Sequence, residues 1–127
     1  MAMKQTEIAI NRSPEDLWAL TGDFGALGWM PGVESCEVEG DVRTISLMGM
    51  SIKEQMTRRD EGSRTLAYSI IEGPFPITRH ESAITVDAGD GGSKVTWTVD
   101  VEPDELADVM IDIYGKALEA LKAHVES

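Results

Sequence analysis

A chain of 127 residues fits one domain spanning 1–127, and 42% apolar content supplies a core without help from metal or disulfide. With 23 acidic against 11 basic residues the formal net charge is -12, and no cluster of Lys and Arg stands against it, which excludes nucleic acid and anionic membrane surfaces as partners. The single Cys36 allows no intrachain disulfide, and neither a signal-peptide core nor an apolar run of ~18 residues is present, so a cytoplasmic protein without membrane insertion is expected.

Residues 4–11 alternate, with Thr6, Ile8 and Ile10 on one side, and read as a strand. Ser13-Pro14-Glu15-Asp16 then opens a short helix, with Ser13 as N-cap, Pro14 at the first helical position and two acids favoured by the helix dipole. Gly22, Gly25 and Gly28 punctuate the next stretch, which closes at Trp29-Met30-Pro31-Gly32. Six further strands are expected over 33–39, 42–48, 50–59, 64–72, 77–87 and 93–102. Turn signals separate them: Glu39-Gly40-Asp41, Met48-Gly49, Asp60-Glu61-Gly62, Gly73-Pro74-Phe75-Pro76 and Gly89-Asp90-Gly91-Gly92. The chain ends in a helix opened by Pro103-Asp104. Leu106, Val109, Met110, Ile113, Tyr114, Ala117, Leu118, Leu121 and Val125 share one of its faces. At 1.5 Å per residue its ~22 residues span ~33 Å, enough to cross a sheet. Grouped strands with segregated helices define an α+β protein.

Strand alternation assigns an inward face: Ile45 and Leu47; Met50, Ile52 and Met56; Leu66 and Ile70; Ile84 and Val86; Val95, Trp97, Val99 and Val101. Arg43, Glu54, Tyr68, His80 and Ser82 share that parity although they are polar. Counting back from the turns sets Arg43 opposite Glu54, Glu54 opposite Tyr68 with Gly62 in the left-handed region, and Tyr68 opposite His80. The result is a polar row, Arg43–Glu54–Tyr68–His80, across four strands. Two readings are open for it. It is an internal ion pair with ordinary partly buried neighbours, or it is the polar end of a mainly apolar ligand cavity.

Three segments carry a resemblance. They are Ser13-Pro14-Glu15-Asp16-Leu17-Trp18 leading to Asp23-Phe24; Trp29-Met30-Pro31-Gly32-Val33 followed by Ser35-Cys36-Glu37; and Arg43, Glu54 and residues 68–76 with Val95-Thr96-Trp97. In these the chain resembles the START/Bet v 1-like superfamily, and within it the bacterial polyketide cyclase/dehydrase-like group. The resemblance implies a helix-grip fold: a curved seven-stranded antiparallel sheet wrapped around the long C-terminal helix, with two short helices after the first strand. It also implies a cavity between sheet and helix, with Trp29, Arg43, Glu54, Tyr68 and Trp97 around it. His80 departs from the aromatic residue expected at its position, and the Glu39-Gly40-Asp41 connection is short for the group.

The ligand-binding set expected on this basis is Trp29, Arg43, Glu54, Tyr68, His80, Trp97, Met110 and Tyr114. The occupant would be a small hydrophobic metabolite: aromatic, polyketide-like or acyl. A second reading is a cyclase or dehydratase using His80, Tyr68 and Glu54 as acid, base and carbonyl-polarising groups. A third is an interaction or regulatory protein with a vestigial cavity. No cofactor is expected, and a metal is not, because His80 and His124 form no ligand pair. Cys36 has no local activator, and the glycines 89, 91 and 92 form an acidic turn rather than a phosphate loop. The chain carries no interface signal that separates monomer from homodimer.

Overall fold

The computed structural model describes residues 2–74 and 76–126, with Ala2 described in its backbone alone. In chain order the elements are β1 (Ala2–Ile10), α1 (Pro14–Thr21), β2 (Val33–Glu39), β3 (Val42–Leu47), β4 (Met50–Asp60), β5 (Thr65–Glu72), β6 (Arg79–Gly89), β7 (Gly92–Glu102) and α2 (Glu105–Glu126). The sheet runs β1-β7-β6-β5-β4-β3-β2, antiparallel throughout. The order follows from consecutive hairpins, with β1 brought round to pair with β7. Phe75, in the turn expected between β5 and β6, lies outside the described residues.

Local chemistry explains the elements. Ser13 caps α1 by accepting from the Asp16 amide at 3.1 Å, and Pro14 stands at the start. The two-residue turn after β3 has φ of 49° at Met48 and 81° at Gly49, the left-handed geometry that matches strand twist in tight hairpins. Only one helix follows β1, not the two expected. Residues 22–32 close instead through single turns, such as Ala26 N–H to the Asp23 carbonyl and Met30 N–H to the Leu27 carbonyl. Glycines at 22, 25 and 28 disfavour helix continuation here, and the loop is held by burying Phe24, Leu27 and Trp29.

Nearly all of the expected inward set is buried, with Met50, Met56 and Ile70 half-buried. Helix α2 packs chiefly on β1 and β7. Its later turns, through Ala117, Leu118 and Leu121, are sealed against the sheet. The earlier turns stand off from β3, β4 and β5 and leave space between.

Candidate functional site

The space between the first half of α2 and the sheet is a cavity of about 70 Å³. Its wall is mainly apolar: Leu27, Met30 and Val33 from the loop and β2; Ile45, Leu47, Ile52 and Ile70 from the sheet; Leu106, Val109, Met110 and Ile113 from α2. Trp97 closes one side, with its ring stacked on Tyr114 at 4.1 Å between centroids. Val109 is half exposed although it lies on the apolar stripe of α2, so it stands where the cavity meets solvent.

Arg43, Glu54, Tyr68 and Tyr114 make one polar corner of this wall. Arg43 donates from Nε to Glu54 Oε1 at 2.8 Å, places Nη2 2.7 Å from the same oxygen, and donates from Nη1 to the Phe24 carbonyl at 3.0 Å. Its guanidinium lies 4.2 Å from the Phe24 ring centroid and 4.9 Å from that of Tyr68. Both Arg43 contacts converge on Oε1. The second carboxyl oxygen, Oε2, accepts no hydrogen bond among the described residues. Burial pushes the Glu54 carboxyl above its ordinary range, and Arg43 offsets only part of that rise.

The Arg43–Glu54 juxtaposition follows the expected register. The rest of the row does not. Glu54 faces Ile70, Tyr68 faces Met56, and on the other side Tyr68 faces Ser82 rather than His80. The turns set this displacement. The β5–β6 ladder is regular, with its register two residues from the expected one. In the β4–β5 ladder, where Thr57 and Ile71 are left as extra residues, the bulge at Thr57 takes back only one residue of a larger offset. A bulge adds a residue that turn-counting cannot see. The β4–β5 turn is also longer than assumed: Asp60 pairs with Thr65, and Arg64 rather than Gly62 holds the left-handed φ, at 51°.

His80 therefore sits behind the wall and does not line the cavity. Its Nδ1 accepts from the Ile70 amide at 3.0 Å and its Nε2 lies 2.9 Å from Ser82 Oγ. Ser82 reaches the Tyr114 hydroxyl at 2.9 Å, Tyr68 donates to the same hydroxyl at 3.1 Å, and Trp97 Nε1 donates to Tyr68 at 3.1 Å. The order Trp97–Tyr68–Tyr114–Ser82–His80 replaces the expected row. Burial raises both tyrosine hydroxyls, that of Tyr114 to about 12 and that of Tyr68 well above its usual value, so both stay protonated. Trp29 also stands outside the cavity wall. It packs against Trp97 at 6.1 Å, and its buried Nε1 has no partner among the described residues.

Burial lowers the pKa of His80 to about 4, against a weaker upward pull from Asp100. A histidine depressed in the folded state contributes stability above its unfolded value near 6.5 and loses it as pH falls towards 4. The expected loss between pH 7 and pH 5 is about 2 kcal/mol. Urea melts of wild type and His80→Gln at both pH values check this. The slope flattens in the variant, and equal slopes would assign the acid sensitivity elsewhere.

Of the remaining candidates, Met110 lines the cavity and Cys36 does not. Cys36 is half-buried with its thiol pushed up by burial, so it is held protonated at neutral pH. The residues that sequence reasoning left out of the site are the loop and helix positions Leu27, Met30, Val33, Leu106, Val109 and Ile113, and the Phe24 carbonyl that anchors Arg43. Helical periodicity placed three of them on the apolar stripe. It did not show which half of that stripe stays open.

A curved antiparallel sheet gripping one long helix over an internal cavity defines the helix-grip class of proteins. The chain belongs to the family described as polyketide cyclase/dehydrase and lipid transport, whose model matches residues 1–126. It is similar to the structure of the protein XoxI from Bacillus cereus, at 32% identity and a TM-score of 0.92, covering 98% of this chain and 95% of that one. An uncharacterised protein from Bacillus thuringiensis is similar at 29% identity and a TM-score of 0.92, covering 99% and 100%. A START superfamily protein from Mycobacterium smegmatis shares the fold at 17% identity and a TM-score of 0.78, covering 98% and 99%. No curated protein matches. Among the described residues no helix is long and apolar enough to cross a membrane.

Proposed function

We propose that the protein binds one small, largely apolar molecule between the sheet and the first half of α2. The observation that carries this reading is the lining: apolar side chains on most of the wall, with Arg43, Glu54, Tyr68 and Tyr114 gathered at one corner. Ligand sites combine an apolar wall with a few placed polar groups. Membership of a family whose description names polyketide cyclases and lipid transport supports the same reading.

A cavity of about 70 Å³ is smaller than the ~150 Å³ that holds a benzene ring, so a metabolite enters by displacing wall side chains. Met30, Met110 and half-exposed Val109 are suited to that, since methionine is unbranched and adaptable. Cyclisation or dehydration of the bound molecule is the second reading, and one observation favours it: the Glu54 carboxyl is raised and keeps Oε2 unbonded on the cavity wall. His80 has no place in such a step, because both its nitrogens are engaged away from the cavity.

A thermal-shift panel of acyl chains, flavonoids, aromatic polyketides and sterols tests the binding reading. A ligand at ~100 times its Kd stabilises the fold by about 2.7 kcal/mol, roughly 8 °C in Tm for a chain of this size. The shift is expected for one chemical class and is lost in Val109→Trp, which plugs the mouth from a half-exposed position. A folded wild type that responds to no class would favour an interaction protein with a vestigial cavity.

A further inference from the structure

The polar chain beside the cavity holds more hydrogens than it can use. The Ile70 amide donates to His80 Nδ1, so that nitrogen carries no hydrogen and the neutral ring bears its hydrogen on Nε2. Nε2 then donates to Ser82 Oγ. At the other end Trp97 Nε1 can only donate, and it donates to the Tyr68 hydroxyl. Both ends of the chain thus point hydrogens inward, towards three hydroxyls. Five N–H and O–H hydrogens serve four contacts, Trp97–Tyr68, Tyr68–Tyr114, Tyr114–Ser82 and Ser82–His80, and one is left over.

Where the spare hydrogen resides follows from the geometry. Tyr68 spends its own on Tyr114. The remaining choice is Ser82 or Tyr114. Ser82 is fully buried and off the cavity wall, where an unused O–H has nothing to meet. Tyr114 lines the cavity. When Ser82 donates to Tyr114, both contacts of the tyrosine oxygen are accepted ones and its hydrogen is free for a ligand. The adjacent cation is already committed. Arg43 spends Nε and Nη2 on Glu54 and Nη1 on the Phe24 carbonyl.

We propose that the cavity selects an uncharged ligand bearing a hydrogen-bond-accepting oxygen, of the ketone, aldehyde or ester class, received by the Tyr114 hydroxyl. A carboxylate is disfavoured, because the charge of Arg43 is already neutralised by Glu54 and a second carboxylate in this buried corner would stand beside the first. The inference rests on the cavity's being a binding site, and its test separates the two.

The probes are acetophenone, ethylbenzene and benzoate, measured by titration calorimetry at pH 7.5 on wild type, Tyr114→Phe and Ser82→Ala. Circular dichroism confirms that each variant is folded. The readout is the affinity of acetophenone relative to ethylbenzene, which cancels effects on cavity shape. That ratio is expected to fall roughly fivefold in Tyr114→Phe, the worth of one hydrogen bond. It is expected to hold in Ser82→Ala, where Tyr114 loses only a hydrogen bond that it accepts and keeps its own hydrogen free. Benzoate binds more weakly than acetophenone in wild type. An unchanged ratio in Tyr114→Phe, a rise in Ser82→Ala (showing that serine had held the Tyr114 hydrogen), or benzoate binding as tightly as acetophenone overturns the inference while leaving the cavity as a binding site. Failure of both neutral probes to bind overturns the inference and the binding reading together.

Discussion

Replacing Arg43 by alanine lowers the stability of the fold by about 3–5 kcal/mol, the usual cost of orphaning one partner of a buried ion pair. Arg43 and Glu54 are 3% and 7% exposed, so water cannot substitute for the lost guanidinium. The Phe24 carbonyl also loses its donor, which loosens the loop over the cavity. The defect has a pH signature. Burial already raises Glu54 in the intact pair, and without Arg43 it rises further. The folded variant then holds a proton that the unfolded chain releases near pH 4.5. A carboxyl raised in the folded state gives stability below the unfolded value that is lost as pH rises through the folded one. Arg43→Ala is therefore more damaging at pH 8 than at pH 5, the reverse of the acid sensitivity assigned to His80. Urea melts at both pH values measure it. Replacing the pair together, Arg43→Met with Glu54→Leu, recovers most of the loss. A cost below about 1 kcal/mol at both pH values would mean that the pair is hydrated and the corner is not the dry site described.

Trp97→Ala is expected to cost about 3–5 kcal/mol and to change what the cavity accepts. Trp97 is 3% exposed and touches the site in three ways. It stacks on Tyr114 with 4° between the planes, packs against Trp29, and donates to Tyr68. Removing it opens a void contiguous with the existing cavity, since Trp97 is one of its walls. Trp97→Phe is the informative partner, because it keeps one aromatic ring in place while removing the N–H and the smaller part of the indole. That variant should lose about 1–2 kcal/mol. Denaturant melts give the stabilities, and the probes above give the cavity. Equal losses in the two variants would place the energy in the hydrogen bond to Tyr68 rather than in packing.

Both predictions turn on residues whose type and parity could be read from the chain. Alternation along 42–47 and 50–56 put Arg43 and Glu54 on the core side, and a two-residue turn at Met48-Gly49 set them opposite each other. A tight hairpin admits few registers, so local chemistry sufficed. His80 was misassigned for the opposite reason. Its placement required the lengths of two longer turns, and in both ladders the strands pair two residues away from the counted register. A longer turn admits several registers, and a bulge such as the one at Thr57 shifts the pairing again without a mark in composition.

The amino-acid sequence alone determined the α+β class, the succession of seven strands and a terminal helix, and the apolar stripe of α2. It also determined the acid–base pair across the β3–β4 hairpin. These depend on periodicity and turn residues, which act over a few positions. Tertiary structure alone decided that α2 seals against β1 and β7 and stands away from β3 to β5, which makes half of one continuous stripe core and the other half cavity. It alone brought the hydroxyls of Tyr68, Tyr114 and Ser82 together between two fixed donors, across separations of 46 and 32 residues. Such contacts are set by how a twisted sheet curves around a helix, a property of all seven strands at once rather than of any one segment.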